Sequence, residues 1–532
     1  MSKTILKDNE ALKGLQAGVN KLNDAVKNSL GPSGLNIIID RPIFPQITSD
    51  GVTAVKEVFL KDRVEHLGAT IVKEASIKTS LDAGDGTTTS VVLANAIVNN
   101  AIKYILSGYN SMKLVKGIKR AEEIVVEELK KMSKPVKTKE DIFNVAKISC
   151  RDEELAKKLS DVIYDAGKDI AVAIEDSQIV GVESELVNGF EIDRGFYSPF
   201  MATNINRMEA ELKDPAVIIF NKRITRFQEI APSLDLCLKN NIKDILIIAN
   251  DFENEVIGNC VVNKQKGIVT AVCIKAPMFY NYTREALEDI ALFTGGKVID
   301  IGFNLEKEPQ MEYFGKAGKI LVTKDRTTIF QEIQDLTKRT EMDMAIKERV
   351  EMIKEQGTKV KEEISKDQLK KRANKLLAKA ITIKVGANSD YEQQELKDRI
   401  DDAVRAIKSA MEEGIIIGGG VSFVNSALLL KNDKDDWGIE VVKQSLLEPI
   451  KQIATNSGFT ADVIIEKIIA EKNKDYGFDF AKGEYVDLLK TGIIDPLKVV
   501  RCAFQNAISV ASILLTANTT IIIDEEPQPL DK

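Results

Sequence analysis

A single histidine, His66, occurs in 532 residues. Ser-His-Asp catalysis would rest on that one side chain, and metal sites built from several histidines are excluded. Metal chemistry is left to carboxylates and hard cations such as Mg2+. His66 itself reads as a packing or helix-surface residue. The five cysteines, Cys150, Cys237, Cys260, Cys273 and Cys502, are odd in number, scattered, and form no C-x-x-C. This argues against a disulfide framework or zinc site and fits a reducing compartment. No run of about 18 apolar residues is present, so no transmembrane helix is expected. The opening MSKTILKDNE lacks the apolar core of a secretory signal. A long basic run is missing too, and the formal charge of -7 argues against nucleic acid as the main partner. The expectation is a soluble cytoplasmic protein with neither a membrane nor a nucleic-acid partner. Two nucleotide signatures are also missing. Gly295-Gly296-Lys297 is followed by Val298, so no G-x-x-x-x-G-K-[ST] occurs, and no G-x-G-x-x-G follows a strand with the acidic residue it needs.

What is present is an ordinary globular composition, 44% hydrophobic and 29% charged, long enough for three or four domains. Residues 8–30 place Leu12, Leu15, Val19, Leu22 and Val26 at helical spacing, and Gly31-Pro32-Ser33-Gly34 stops them. A short strand is predicted at 36–40, a turn at Asp50-Gly51, and helices near 62–80 and 87–107. A change comes near Pro135. From about 165 to 335, DIAVAIED, AVIIF, DILIIAN, GIVTAVCI, GKVID and GKILVT alternate with helical patterns, an α/β segment with its own core. A charged stretch at 335–379 predicts a solvated helical hairpin, and helix returns at 391–413. The order is helical, α/β, helical. The ends are either separate domains or one domain split by an insertion.

The segment LDAGDGTTTS, 81–90, carries the sharpest chemical signal. Gly84-Asp85-Gly86 and three threonines open a predicted helix. A helix N-terminus offers unpaired N–H groups to phosphate oxygens, and glycines let the backbone come close. Asp85 repels phosphate, but it can hold Mg2+ that bridges to it. The plain alternative is threonine capping with Asp85 in a turn.

SLGPSGLNIIID, TSDGVTAVKEV, AGDGTTTSVVLANAIV, DDAVRAIKSAMEEGIIIGGGV and YGFDFAKGEYVDLLKTGIIDPLKVVR together resemble the ATP-site segments of the GroEL family, the group I chaperonins. The likeness runs from about residue 5 to about 524, in order and spacing. It implies a multidomain α/β chaperonin fold with a mostly helical equatorial domain (1–132 and 413–532), a small intermediate domain (133–188 and 380–412) and an inserted apical domain (189–379). It implies ATP and ADP as ligands, with Mg2+ and, as a further candidate, K+. Leu30, Gly31, Pro32, Gly51, Asp85, Gly86, Thr87, Thr88 and Thr89 match phosphate-side positions, with Asp85 the Mg2+ ligand. Asp50 and Asp402 match the acidic pair around the γ-phosphate, Asp402 being the residue assigned to the attacking water. Gly419 and Gly420 match the ribose side. Ile148, Ser149, Ile453, Phe478, Asp479, Phe480, Ala481, Ile493 and Asp495 match the nucleoside pocket. Phe196, Phe200, Met201, Ala231, Leu234, Ile257, Val261 and Val262 match an apical groove for non-native polypeptides. The resemblance further implies an ATPase that assembles into a ring, heptameric in the family, with a co-chaperonin lid as partner. A chaperonin-like holding protein with little hydrolysis is the alternative. A small-substrate kinase or phosphatase is disfavoured by the missing histidines and P-loop.

Several positions depart from the family pattern and mark a divergent member, of viral or specialised lineage. Ser49 replaces a usual lysine, Asp479 an asparagine and Phe480 an alanine. Gly189 matches an expected hinge glycine, but Leu377-Ala378-Lys379 lacks its partners, while Pro135 and Gly414 are kept. APMFYNYTREA, 276–286, replaces a glycine- and arginine-rich piece, and the end IIIDEEPQPLDK lacks a Gly-Gly-Met tail.

Overall fold

The computed structural model describes residues 3–41, 45–166, 171–205, 208–277, 283–300, 309–331, 336–359, 363–431, 436–471 and 473–523. Most of APMFYNYTREA's centre and the last nine residues lie outside them. The chain divides into two compact units, Met1–Lys168 with Asp176–Val182 and Val385–Lys532, and Asp169–Glu175 with Glu183–Lys384. The first unit is therefore discontinuous in sequence, and the residues expected to be apical, 189–379, all fall in the second.

The first unit is helical. Asp62 starts the Arg63–Ala83 helix by accepting the N–H groups of Val64 and Glu65 at 2.9 and 3.0 Å, and Gly84 ends it in the left-handed region. Helices Thr87–Leu106 and Ser111–Met132 follow, and the Leu497–Thr516 helix packs against all three. Leu22, Leu93, Ile97, Ile102, Leu114 and Ile118 are fully buried there, each worth roughly 1.5–3 kcal/mol. Helices Thr87–Leu106 and Leu497–Thr516 are long and apolar enough to cross a membrane by composition alone, and both lie mostly buried in this core. Lys3–Lys7 pairs antiparallel with Thr519–Ile523, Lys3 opposite Ile523. His66 is structural, as expected. Its Nδ1 accepts the Leu60 N–H at 3.4 Å, and its ring stacks on Phe59 with centroids 5.6 Å apart.

The second unit holds the α/β segment. Strands Thr270–Lys275, Asp244–Ala249, Ala216–Phe220 and Val298–Ile299 lie parallel in that order, and Gly315–Lys316 joins Ala216–Phe220 antiparallel. A second sheet runs Ala171–Asp176, Lys379–Gly386, Gly181–Ile192, Thr327–Gln331, Lys319–Val322, Ala210–Lys213. All six strands predicted from the α/β segment are present. Gly181–Ile192 and Lys379–Gly386 were not predicted. Their first halves carry no clean alternation, and their pairing joins residues far apart in sequence, as in the Gly189 N–H to Ala378 O bond of 3.2 Å. The charged stretch forms helices Leu336–Lys359 and Glu363–Leu376, packed on each other as a hairpin. Arg349 and Arg372 both reach the buried Asp289, each at 2.8 Å.

Gly189 is in place for close approach rather than for a left-handed backbone. A Cβ there would lie 2.6 Å from the Ala380 Cβ. Beside it, Lys379 Nζ donates to Asn188 Oδ1 at 2.6 Å, so the position without glycine ties the two strands together. Gly414 does take a positive φ, 89°, where the Lys134 and Ile415 backbones exchange two 2.8 Å bonds. All five cysteines are buried and free, and Cys260 Sγ and Cys273 Sγ approach to 3.8 Å.

Candidate nucleotide-binding site

Gly84-Asp85-Gly86 is a corner between two long helices. Gly84 and Gly86 have φ of 77° and 80°, a region that costs a side-chain-bearing residue about 1–2 kcal/mol. Only Asp85 stands between them, and its Oδ1 accepts the Gly86 N–H at 2.5 Å. The first intrahelical bond after the corner is Ser90 N–H to Gly86 O, 3.0 Å. The N–H groups of Thr87, Thr88 and Thr89 therefore have no partner inside the helix and sit at its positive end. Thr87 and Thr88 have buried side chains.

Two further loops of the same unit meet this corner. The turn Lys27–Ser29 leads into Gly31, φ 89°, and Ser29 Oγ lies 3.2 Å from Thr88 Oγ1. A Cβ on Gly51 would lie 2.3 Å from Thr88 Oγ1 and 2.7 Å from Thr87 Oγ1, so the Asp50-Gly51 turn rests directly on the threonines. Asp50 caps the Gly51–Glu57 helix. Its carboxylate accepts Val52 N–H at 3.1 Å, Thr53 N–H at 3.0 Å and Thr53 Oγ1 at 2.6 Å. Those three donors hold the Asp50 carboxyl group in one orientation.

Asp402 lies on the Asp390–Glu413 helix, whose buried face is Ile400, Ala403, Val404, Ala406 and Ile407. Its own side chain is half-buried. Burial pushes the Asp402 carboxyl well above the ordinary range, and the charges of Asp50, Asp85, Asp401 and Asp398 push it further. Burial likewise raises Asp85. The Gly86 N–H works against that rise, Asp50 adds to it, and Arg151 opposes it. Asp495, on Ile494–Pro496 opposite Ile416 of Ile415–Ile417, is pushed up to about 7 by burial and then by Asp85. Asp50 and Asp85 thus act on Asp402, and Asp85 acts on Asp495, although more than 300 residues separate the two pairs. Such a cluster beside a helix N-terminus calls for a cation. Among the described residues no three His, Cys, Asp or Glu side chains group closely enough to hold a metal by themselves. Asp85 fits a Mg2+ whose other ligands are phosphate oxygens and water, the usual arrangement for that ion.

The nucleoside-side positions divide. Gly419 and Gly420 have φ of 62° and 77° and follow the Ile415–Ile417 strand; the space beside Gly419 is open. Ile453 packs against Gly31, and Leu30 and Ile493 line the same cluster. Ser149 Oγ is buried without a hydrogen-bond partner and lies close enough to Asp85 to lower its pKa, while Ile148 is exposed. Phe478 and Phe480 are core residues in an aromatic cluster with Phe459; the Phe478 and Phe480 centroids are 5.1 Å apart. Asp479 Oδ1 accepts the N–H groups of Ala481 and Lys482 at 2.9 and 3.2 Å. It caps its own turn. At the tip of this hairpin Ala481, Lys482, Gly483 and Glu484 are exposed.

Two residues at the site carried no sequence signal that singled them out. Asn456 Nδ2 donates to Lys27 O and Leu30 O, both at 2.9 Å. Arg151, just past the Lys139–Cys150 helix, donates to Ser29 O at 3.1 Å and Gly34 O at 3.3 Å. Both are polar side chains on loop carbonyls far away in sequence, which no local pattern encodes.

The groove positions belong to the second unit. Phe196, Met201, Leu234 and Ile257 are buried in its core, Ala231 and Val261 are half-buried, and Phe200 and Val262 are 70% and 43% exposed. Lys264 Nζ ties the Asn254–Gln265 helix to the Phe200 carbonyl at 3.2 Å.

Two solved structures of chaperonin gp146 from bacteriophage EL 2 (Pseudomonas aeruginosa), both in presence of ATP-BeFx, share this fold. The likeness covers 98% of this chain and 99% of theirs at 21% identity, with TM-scores of 0.62 and 0.60. The TCP-1/cpn60 chaperonin family matches residues 22–525. A family match over nearly the whole length, on a fold shared end to end with a phage chaperonin, leaves one assignment: the chain belongs to the TCP-1/cpn60 chaperonin family.

Proposed function

We propose that this chaperonin binds and hydrolyses ATP with Mg2+ and uses the cycle to capture and release non-native polypeptides inside a ring of its own copies. The observation that carries the reading is the convergence of two sequence-distant loops on the Thr87 helix start, with Asp50, Asp85, Asp402 and Asp495 around it. The N–H groups of Thr87–Thr89 and the glycine turns at Gly31 and Gly86 bind phosphates. Gly419 and Gly420 leave room for a ribose, and Leu30, Ile453 and Ile493 supply an apolar wall. Mg2+ held at Asp85 would neutralise phosphate charge. Asp402 projects from its packed helix to take the proton of the attacking water. A base must be ionised to accept a proton. Turnover therefore falls as pH drops through the Asp402 pKa, above the usual carboxylate range. Phe200 and Val262 offer the exposed apolar surface of the second unit to clients. By family likeness the ring is heptameric, closed by a separate lid protein, with domain boundaries at 132/133, 188/189, 379/380 and 412/413.

The raised pKa of Asp402 also favours a second reading, a chaperonin that holds clients with little hydrolysis, because a protonated Asp402 is no base. Phosphate release from Mg-ATP, with and without denatured protein, separates the two. Turnover that responds to denatured protein supports the first reading. Client binding without measurable turnover supports the second.

A further inference from the structure

The site has four carboxylates and no P-loop lysine, and it is to receive a polyphosphate. Bound Mg2+ cancels only part of that negative charge. We propose that Arg151 is the fixed cation of this site: its guanidinium brackets the phosphate loop and pairs directly with the nucleotide's phosphate oxygens. The assignment rests on the nucleotide reading above and extends it to a residue outside the matched motifs.

Three observations carry it. The backbone of Arg151 is pinned. Its N–H closes the Lys139–Cys150 helix on Lys147 O at 3.0 Å with φ 56°, and Asp152 starts the next helix by accepting the Leu155 N–H at 3.0 Å. This arginine is held by a cap on each side rather than swinging on a free loop. Its side chain then reaches across 122 residues of sequence to Ser29 O and across 117 to Gly34 O. Those two carbonyls flank Leu30-Gly31-Pro32-Ser33, the loop whose Ser29 hydroxyl meets Thr88. Finally, the bonds go to neutral carbonyls. They occupy two of five donors and leave the full charge uncompensated. The opposing charges that act on it are Asp85, Asp402 and Glu395, the first two being the residues proposed for the metal and the water, while Arg399 acts against it. Among the described residues Arg151 forms no ion pair. It is exposed, as a side chain that meets an incoming ligand must be. A planar, permanently charged fork suits phosphate oxygens better than an ammonium does.

A residue that merely props the loop would affect every nucleotide alike. A phosphate contact affects them by phosphate number. Binding of ATP, ADP, AMP and adenosine to the full-length wild type, Arg151→Met and Arg151→Lys is measured by calorimetry with Mg2+, with melting curves to confirm folding. The expected result is a Kd raised about tenfold or more for ATP and ADP in R151M, and within about twofold for AMP and adenosine, with R151K recovering part of the loss. Equal weakening of all four ligands, or wild-type affinities in R151M, overturns the assignment. A wild type that binds none of the four overturns the nucleotide reading and this assignment with it. If R151M does not fold, R151K decides alone: a loss confined to ATP and ADP supports the proposal, and unchanged affinity refutes it.

Discussion

Replacing Asp495 by asparagine should make the ligand-free protein more stable at pH 8 and stabilise it only about a quarter as much at pH 4.5. The folded carboxyl is pushed from its ordinary 3.8 up to about 7 by burial and by Asp85. The folded state therefore binds the proton more tightly than the unfolded state. The stability that comes with the protonated form is fully present below about 3.8 and is lost as pH rises to about 7. At about 1.4 kcal/mol per pH unit the interval sets a ceiling of about 4 kcal/mol. Asp495 keeps some contact with solvent, which brings the expectation to about 2 kcal/mol. Asparagine keeps the shape and is neutral at every pH. Trp437 is the single tryptophan of the chain and lies in the first unit, stacked on Tyr104 at 5.0 Å, so its fluorescence reports on the unit that holds Asp495. Urea unfolding followed by that signal should show a midpoint about 0.7 M higher for D495N at pH 8, at a slope of about 3 kcal/mol/M. Identical midpoints at pH 8, or an equal gain at pH 4.5, would refute the charge-cluster reasoning.

Other perturbations test other parts. Gly84→Ala places a Cβ 2.2 Å from the Arg405 Cβ at φ 77° and should cost about 2 kcal/mol or more by the same fluorescence assay. Gly108→Ala, at φ 97° with nothing nearby, should cost only about 1 kcal/mol. Asp289→Ala removes the buried carboxylate that Arg349 and Arg372 share and should destabilise the second unit by about 3–5 kcal/mol, while adding Arg372→Met restores much of it. Hydrogen exchange in the Thr283–Thr294 helix is the readout, and full protection in D289A would contradict the buried triad. Val262→Ser should weaken suppression of client aggregation without moving the melting curve. Ile257→Ser, 8% exposed, should lower stability by about 2–4 kcal/mol as a core change. The reverse pattern would mean that the exposed face is not the client surface.

The helices and the central strands were legible because their signals are local. The apolar spacing of Leu12, Leu15, Val19 and Leu22, the stop at Gly84 and the apolar runs AVIIF and DILIIA need no distant partner. The predicted 8–30 helix stopped early, at Val26, because Lys27–Ser29 tightens into a 3-10 turn toward Gly31. The Lys3–Lys7 and Thr519–Ile523 strands were missed because each is stable only against the other, at opposite ends of the chain. At the site, the phosphate-side turns were legible through their glycines and threonines. The turn bond of Asp479 and the aromatic packing of Phe480 were not, since no local pattern encodes either contact. Arg151 and Asn456 depend on carbonyls more than a hundred residues away, and only the folded chain brings them there.

The most direct test of the account is Asp402→Ala, assayed for both nucleotide binding and turnover. A mutant that binds Mg-ATP within about threefold of wild type while hydrolysing it at least about 100-fold more slowly is the predicted result, in the range a positioned general base contributes. Hydrolysis at the wild-type rate in that mutant would contradict the account at its centre.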